Sequence, residues 1–456
     1  MTRVTVVGGG VAGLAAAHRL VERGGADVLI LEAGERLGGT ISTERTAGFT
    51  IEGGADAILT EKPTAVALAE RIGLAMVGTR DGERRTWVVH DGRLTPLPDG
   101  FLLLAPTDLR ALVGSPLFSW RGKLRMALDL VLPRGRDAAD ESLGAFVRRR
   151  FGREALERAA QPLAGGIYTA DVDRLSVEAT MPRFRELERR HRSVVLGLRA
   201  TGGQTRTAGA RYALFAAPAD GMGAFVDALA RWLPEGVVRL RTPVAAIARD
   251  GSRWRLDAGS ETFVADAVVF ATPAHVTAPL LAPLDPELAR LLAGIDYASS
   301  ATVTLAYRTD AIPALHGFGF VVPAVERRAL LACTYASRKF PGRAPEGHDL
   351  VRGFVGGALQ PEVLERDDAA LVALVRRELE ALAGIAATPE LIRVQRYSRA
   401  MPQYAVGHLE RVAAIEAHAA ALGNLALVGA AYRGVGIPDC VRGGEAAADA
   451  VRIATG

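Results

Sequence analysis

Residues 3–7, Arg-Val-Thr-Val-Val, run directly into Gly8-Gly9-Gly10-Val11-Ala12-Gly13, and this stretch decides the fold. The apolar run reads as a short buried strand. A helix follows through Leu14, Ala17, His18 and Leu20 and stops near Gly24-Gly25. A second strand, Asp27 to Leu31, ends on Glu32. The unit is strand, glycine turn, helix, strand. Gly8 permits the tight turn, Gly10 lets a pyrophosphate approach the backbone, and Gly13 lets helix and strand pack closely. The helix N-terminus then faces the phosphates. Glu32 ends the second strand, where an acid that binds a ribose belongs. The opening of the chain therefore reads as a dinucleotide site on an α/β sheet.

Outward from this unit, residues 35–60 are glycine-rich, 65–73 read as a helix, and 86–97 as a hairpin turning at Asp91-Gly92. From about 105 to 200 helical periodicity dominates, with arginines set among leucines on amphipathic faces. The polar, glycine-rich segment 201–211 reads as a loop. A helix and strands follow to 273, alternating strands fill 297–358, and a long helix covers roughly 367–383. The last stretch is again strand, glycine turn and helix, with Gly429 and Val435-Gly436-Ile437 ahead of a helix from about 443.

The chain has 456 residues, of which 49% are hydrophobic and 23% charged, and its formal net charge is +4. Such a chain builds a large core, and its balance is far from a nucleic-acid-binding footprint. Only Lys62, Lys123 and Lys339 are lysines among 55 basic residues. Arginine's planar fork suits carboxylates and anionic lipid, though a GC-rich genome produces the same bias. Two cysteines, Cys333 and Cys440, make neither a disulfide framework nor a metal cluster, which fits a reducing cytoplasm. The N-terminus reads as a strand with no signal peptide, and no run is long enough to span a bilayer. Any membrane contact is then peripheral.

Glu32-Ala33 followed by Arg36-Leu37-Gly38-Gly39-Thr40 resembles the FAD-binding extension of amine oxidases, phytoene desaturases and porphyrinogen oxidases. More specifically, segments 115–133, 140–152, 162–184, 189–197, 316–323, MPQYAVGHLERV (401–412) and GVGIPDC (434–440) resemble bacterial protoporphyrinogen and coproporphyrinogen III oxidases, in order and across nearly the whole chain. Amine oxidases and carotenoid desaturases share the N-terminal signature and remain the alternative. A non-catalytic FAD-bearing interaction protein is a further one.

The resemblance implies a discontinuous Rossmann-like FAD domain (1–85, 212–280, 410–456), an α+β substrate domain (86–104, 281–409) and a helical, membrane-associated domain (105–211). The cofactor contacts it implies are Gly8, Gly10, Gly13, Glu32, Ala33, Arg36, Gly38, Gly39, Thr40, Gly54, Ala55, Asp56, Val244, Ala271, Gly429, Val435, Gly436 and Ile437. It departs from the family at Asp56, where an arginine able to hold a propionate is absent. The implied chemistry is repeated hydride transfer from a porphyrinogen bridge carbon to FAD, with oxygen as acceptor and hydrogen peroxide as product. Such chemistry needs no strong side-chain base, and no catalytic side chain is identified. The pocket is expected to be large, apolar and edged with cations. By position, Tyr168, Phe318, Phe320, Tyr335 and Gly356-Gly357 are candidate ring contacts and Lys62 a candidate propionate contact. His408 reads as a residue that positions the C-terminal segment and Cys440 as structural. An anionic membrane surface and a haem-pathway enzyme are candidate partners, and the oligomeric state is open.

Overall fold

The computed structural model describes residues 1–80, 85–135, 140–201 and 215–451. The strand Thr2–Val7 lies at the centre of a five-stranded parallel sheet. Ala26–Leu31 and then Val238–Arg239 flank it on one side, Ala267–Phe270 and then Leu425–Leu427 on the other. The outer strands come from sequence-distant parts of the chain, so the sheet is complete only when those parts come together. Val4 and Val6 point into a core shared with Leu14, Ala16 and Leu20 of the helix Val11–Arg23. That helix packs against the C-terminal helix Ile437–Ala450. The two approach so closely that a Cβ at Gly444 would collide with the Ala12 carbonyl.

A second, seven-stranded sheet has the order Leu391–Pro402, Tyr297–Arg308, His348–Gly356, Leu330–Tyr335, Gly319–Val321, Thr86–His90, Arg93–Pro96. The helix Asp368–Ala383 covers one face through Leu371, Leu374, Val375 and Leu379. Strand alternation puts Val351 and Val355 under that helix, and Arg352 and Phe354 on the opposite face.

Helices between Leu109 and Ala200 form a third packed unit around Phe146, Phe151, Leu156 and Phe184. Its arginines are not simply a solvated face. Arg150 is 1% exposed and donates Nε to Asp129 at 2.6 Å, while Asp129 also accepts from Ser193 Oγ at 2.6 Å and the Val195 amide at 2.9 Å. Arg185 and Arg149 share Glu141 and Glu188. Buried ions of this kind are tolerated because each is paired and hydrogen-bonded. No helix among the described residues is long and apolar enough to cross a membrane.

Two expectations change, and a third lies outside the described residues. The last helix begins at Ile437 and not near 443, because Gly443-Gly444, which look like a stop, are where it crosses the first helix. Residues 384–423, to which periodicity assigns no element, contain the edge strand Leu391–Pro402 and the helix His408–Leu422. The loop expected over 201–211 lies, beyond Thr201, outside the described residues.

The helix crossing is directly testable. Gly444→Ala forces backbone apart and is expected to destabilise the protein by ~1–3 kcal/mol, the usual cost of overpacking. A lowered midpoint in thermal unfolding is the expected result; an unchanged midpoint contradicts the contact.

Candidate functional site

The glycine turn sits at the carboxyl end of the parallel sheet. Gly8 adopts φ +105°, a conformation open mainly to glycine, and its N–H donates to the Leu31 carbonyl at 2.9 Å. A Cβ at Gly13 would strike the Gly8 carbonyl and come within 3.1 Å of Ala271. At Gly10 the same atom would meet open space. Gly10 caps the helix Val11–Arg23 without a side-chain hydrogen bond, so the positive N-terminus is left unsatisfied toward that space. The Glu32 carboxylate accepts the Gly9 N–H at 2.6 Å and the Gly34 N–H at 2.7 Å, bridging turn and loop. Arg36 donates to the carbonyls of Leu37 at 3.0 Å, Ile41 at 2.8 Å and Gly39 at 2.7 Å, and so fixes the loop through Gly38. The Gly38 N–H in turn donates to the Gly9 carbonyl at 2.8 Å. Ala33, Gly39 and Thr40 are exposed on the rim.

The loop Gly53–Asp56 is tied to the second sheet. Arg352 donates to the Gly54 carbonyl at 2.8 Å and also to that of Gly53. Asp56 pairs with Lys339 at 2.9 Å, next to exposed Ala55. Burial pushes the Asp56 carboxyl up, but Lys339 outweighs it and holds the group below its ordinary value.

The C-terminal segment returns to the same sheet end. The Ala271 N–H bonds to the Val7 carbonyl, and the Val428 N–H to the Phe270 carbonyl, placing Gly429 beside Ala271. Gly429 has φ +117° and open space where a Cβ would lie. Val244 packs into the core beneath, and Val435 is partly buried against the helical unit. Gly436 caps the helix that starts at Ile437, again with no side-chain hydrogen bond. Tyr404 OH donates to the Ala430 carbonyl at 2.6 Å and accepts the Gly434 N–H at 2.8 Å. His408 stacks on Tyr404 with ring centroids 3.9 Å apart and bonds through Nε2 to the Tyr432 carbonyl at 2.9 Å. Burial lowers its pKa to about 4, so it is neutral at pH 7. An uncapped helix N-terminus and an open glycine cradle thus meet at one sheet end, a geometry that fits a dinucleotide's phosphates, and the C-terminal segment leads from that end into a helix whose first turn carries Asp439.

Comparison with known proteins agrees with this geometry. The flavin-containing amine oxidoreductase family matches residues 11–452. The chain belongs to this family. Coproporphyrinogen III oxidase of Bacillus subtilis is 34% identical, aligned over 97% of this chain and 96% of its own. The chloroplastic protoporphyrinogen oxidase of Nicotiana tabacum is 28% identical, over 96% of this chain and 83% of its own. A crystal structure from Exiguobacterium sp. 255-15, provisionally named protoporphyrinogen oxidase, is 32% identical with a TM-score of 0.87, covering 98% of each chain. The protein is an FAD-dependent oxidoreductase.

Within this flavin-containing amine oxidoreductase the other expected residues are scattered. Phe320 and Tyr335, 1% and 3% exposed, lie in the core under the helix Asp368–Ala383, so strand parity turns them away from the face that carries Arg352. Phe318 is buried as well. Tyr168 is buried at the edge of the helical core and donates to the Thr180 carbonyl at 3.2 Å. Gly356 and Gly357 line a narrow cleft with Gly165, Gly166 and Thr169 of the helical unit. Lys62 is half-exposed and bonded to Asp439 at 2.6 Å, which occupies it in anchoring the last helix. Cys440 is buried. Sequence reasoning missed Arg352, Phe354 and Asp439. The signal for the first two was an arginine and an aromatic two apart in an otherwise apolar strand, hence on one face.

Glu32→Ala removes an acceptor shared by two amides, each bond to a charged group being worth ~1.5–3 kcal/mol. The expected outcome is FAD loss on dialysis, measured by flavin absorbance per chain. Full retention contradicts the assignment.

Proposed function

We propose that the protein oxidises a porphyrinogen to the porphyrin in haem biosynthesis, with coproporphyrinogen III as first choice and protoporphyrinogen IX second. The likeness to the Bacillus enzyme over nearly the full length of both chains carries this reading, and it exceeds the likeness to the tobacco enzyme. Bound FAD supplies the hydride acceptor, and the chain's residues bind, orient and exclude water. Gly8, Gly10 and Gly13 bring the first helix N-terminus to the diphosphate. Glu32 and Ala33 border the ribose, while Arg36, Gly38, Gly39 and Thr40 hold the loop across it. Gly54, Ala55 and Asp56 face the ring region, with Arg352 and Lys339 fixing that loop. Val244, Ala271 and Gly429 form the floor, and Val435, Gly436 and Ile437 direct the last helix N-terminus toward negative charge on the reduced ring.

This reading divides the chain into an FAD unit (1–85, 212–280, 410–456), a substrate unit (86–104, 281–409) and a helical unit (105–211). The two sheets and the helical core support three units, while Leu288–Ile295 pack with Val7 and Phe270 of the FAD unit and Phe101–Ala105 with the helical core. Oxygen is the proposed electron acceptor. The chain's N-terminal glycine fingerprint is used for FAD, and the segment after Ala267–Phe270 is Ala271-Thr272-Pro273, without the glycine turn a nicotinamide nucleotide requires. Steady-state oxidation of coproporphyrinogen III is expected to release about three hydrogen peroxide per porphyrin, one for each two-electron round. Turnover that stops in air but proceeds with a quinone overturns the oxidase reading.

The helical unit supports peripheral contact with an anionic membrane. Trp120, Leu124, Leu128 and Val131, each between 46% and 67% exposed, form a stripe along one side of residues 120–131. Gly122, Met126 and Asp129 face inward, and Arg121 and Arg134 flank the stripe. Exposed apolar side chains beside arginines suit an interface of lipid head groups and acyl chains. Co-sedimentation with phosphatidylglycerol vesicles is the check: wild type should bind, and Leu124→Glu with Leu128→Glu should lose most binding. Equal sedimentation of both proteins contradicts the membrane reading.

A further inference from the structure

A cavity of about 480 Å³ lies where the helical unit meets the second sheet. Arg174 and Leu175, Tyr297 and Ser299, and Arg399 and Gln403 are among the residues that line this half-open cavity. Its volume is that of a small-molecule site. It adjoins the flavin segments at two points. The Tyr297 hydroxyl accepts the Ala274 N–H at 2.8 Å, directly after Ala271-Thr272-Pro273. Tyr404, next to Gln403, is the residue that holds Ala430 and Gly434.

Arg399 is exposed and lies on an unusual stretch of backbone. The pairing of Leu391–Pro402 with Tyr297–Arg308 passes from Ala298↔Met401 to Ser300↔Tyr397, so Ser398, Arg399 and Ala400 together oppose Ser299. Within this bulge Arg399 adopts φ +46°, and its N–H donates to Ser299 Oγ at 2.9 Å. A left-handed non-glycine residue is uncommon, and a bulge of this type re-aims a side chain. The guanidinium so directed makes no hydrogen bond or ion pair to any described residue. The cavity's lining also carries Arg174 and two carboxylates, Asp296 and Asp171. Arg174 pairs with Asp296 at 2.7 Å, both being more than half exposed, and Asp171 accepts the Asp173 N–H at 2.9 Å. Every lysine of the chain is engaged elsewhere: Lys62 with Asp439, Lys339 with Asp56, and Lys123 with the Val113 carbonyl.

We propose that Arg399 is a carboxylate anchor, holding a propionate of the porphyrinogen in this cavity. Arg174 is a second fork, recruited from its exposed pair with Asp296, which costs little to exchange. A planar guanidinium and a carboxylate match in a bidentate pair. The substrate named here rests on the reading given under the proposed function; the carboxylate site itself does not.

Two measurements on Arg399→Ala, Arg399→Gly and Arg399→Lys test the assignment. Glycine relaxes the left-handed backbone while removing the charge, and lysine keeps the charge without the fork. For both neutral variants KM for coproporphyrinogen III should rise about tenfold with kcat nearly unchanged, as expected for loss of one charge-assisted bond. Lysine should fall between. Binding of coproporphyrin III, followed by porphyrin fluorescence, should weaken in parallel, whereas its tetramethyl ester should bind all four proteins equally. Unchanged KM together with unchanged coproporphyrin III affinity overturns the proposal. So does equal weakening of acid and ester, which would report a distorted cavity. If coproporphyrin III binding depends on Arg399 but no porphyrinogen is oxidised, the carboxylate site stands and the substrate reading falls.

Discussion

No atom larger than hydrogen fits on Cα of Gly13, where the first helix crosses the Gly8 carbonyl, and the rest of the molecule is arranged around that approach. The approach sets the helix N-terminus at the end of the central strand. It also fixes which residues share that sheet end: Glu32 from the neighbouring strand, Ala271 from the other side, and Gly429 beyond it. The C-terminal helix lies against the first helix under a similar constraint at Gly444, about two turns in from its own N-terminus at Ile437. A positive helix end and a bridging carboxylate are suited to a molecule with a ribose and a diphosphate.

The second sheet is coupled to this centre by charge. Arg352 reaches from the face opposite the helix Asp368–Ala383 to the carbonyls of Gly53 and Gly54, and Lys339 holds Asp56. These bonds join residues nearly 300 positions apart, and they determine where the sheet's other residues fall. Phe354, whose ring lies 5.0 Å from the Arg352 guanidinium, shares that face. The face beneath the helix carries Phe320 and Tyr335 and contributes packing.

Local motifs were legible in the sequence because their physics is local. The Gly8–Gly13 turn, the acid at Glu32 and the hairpin at Asp91-Gly92 each depend on neighbours within a short stretch, and the elements form where expected. Partners distant in sequence were not legible. Lys62 looked like a free cation beside the glycine-rich loop, and the residue that claims it, Asp439, stands at the far end of the chain. The arginines of the helical unit read as parts of amphipathic faces because periodicity cannot show that Asp129 and Glu188 await some of them inside. The strand Leu391–Pro402 escaped notice because it is an edge strand, mostly exposed, with no clean apolar alternation. Its bulge, and with it the direction of Arg399, is set by pairing with a strand about 100 residues earlier.

In the proposed reaction a porphyrinogen gives its electrons directly to the FAD held at this sheet end. Anaerobic mixing of the purified flavoprotein with coproporphyrinogen III, followed by flavin absorbance, tests it most directly. Rapid bleaching of the oxidised flavin, saturating with substrate concentration and reversed by air, is the predicted result. A fully oxidised spectrum that persists in the presence of excess coproporphyrinogen III and of protoporphyrinogen IX, in protein carrying a full complement of FAD, would contradict the account.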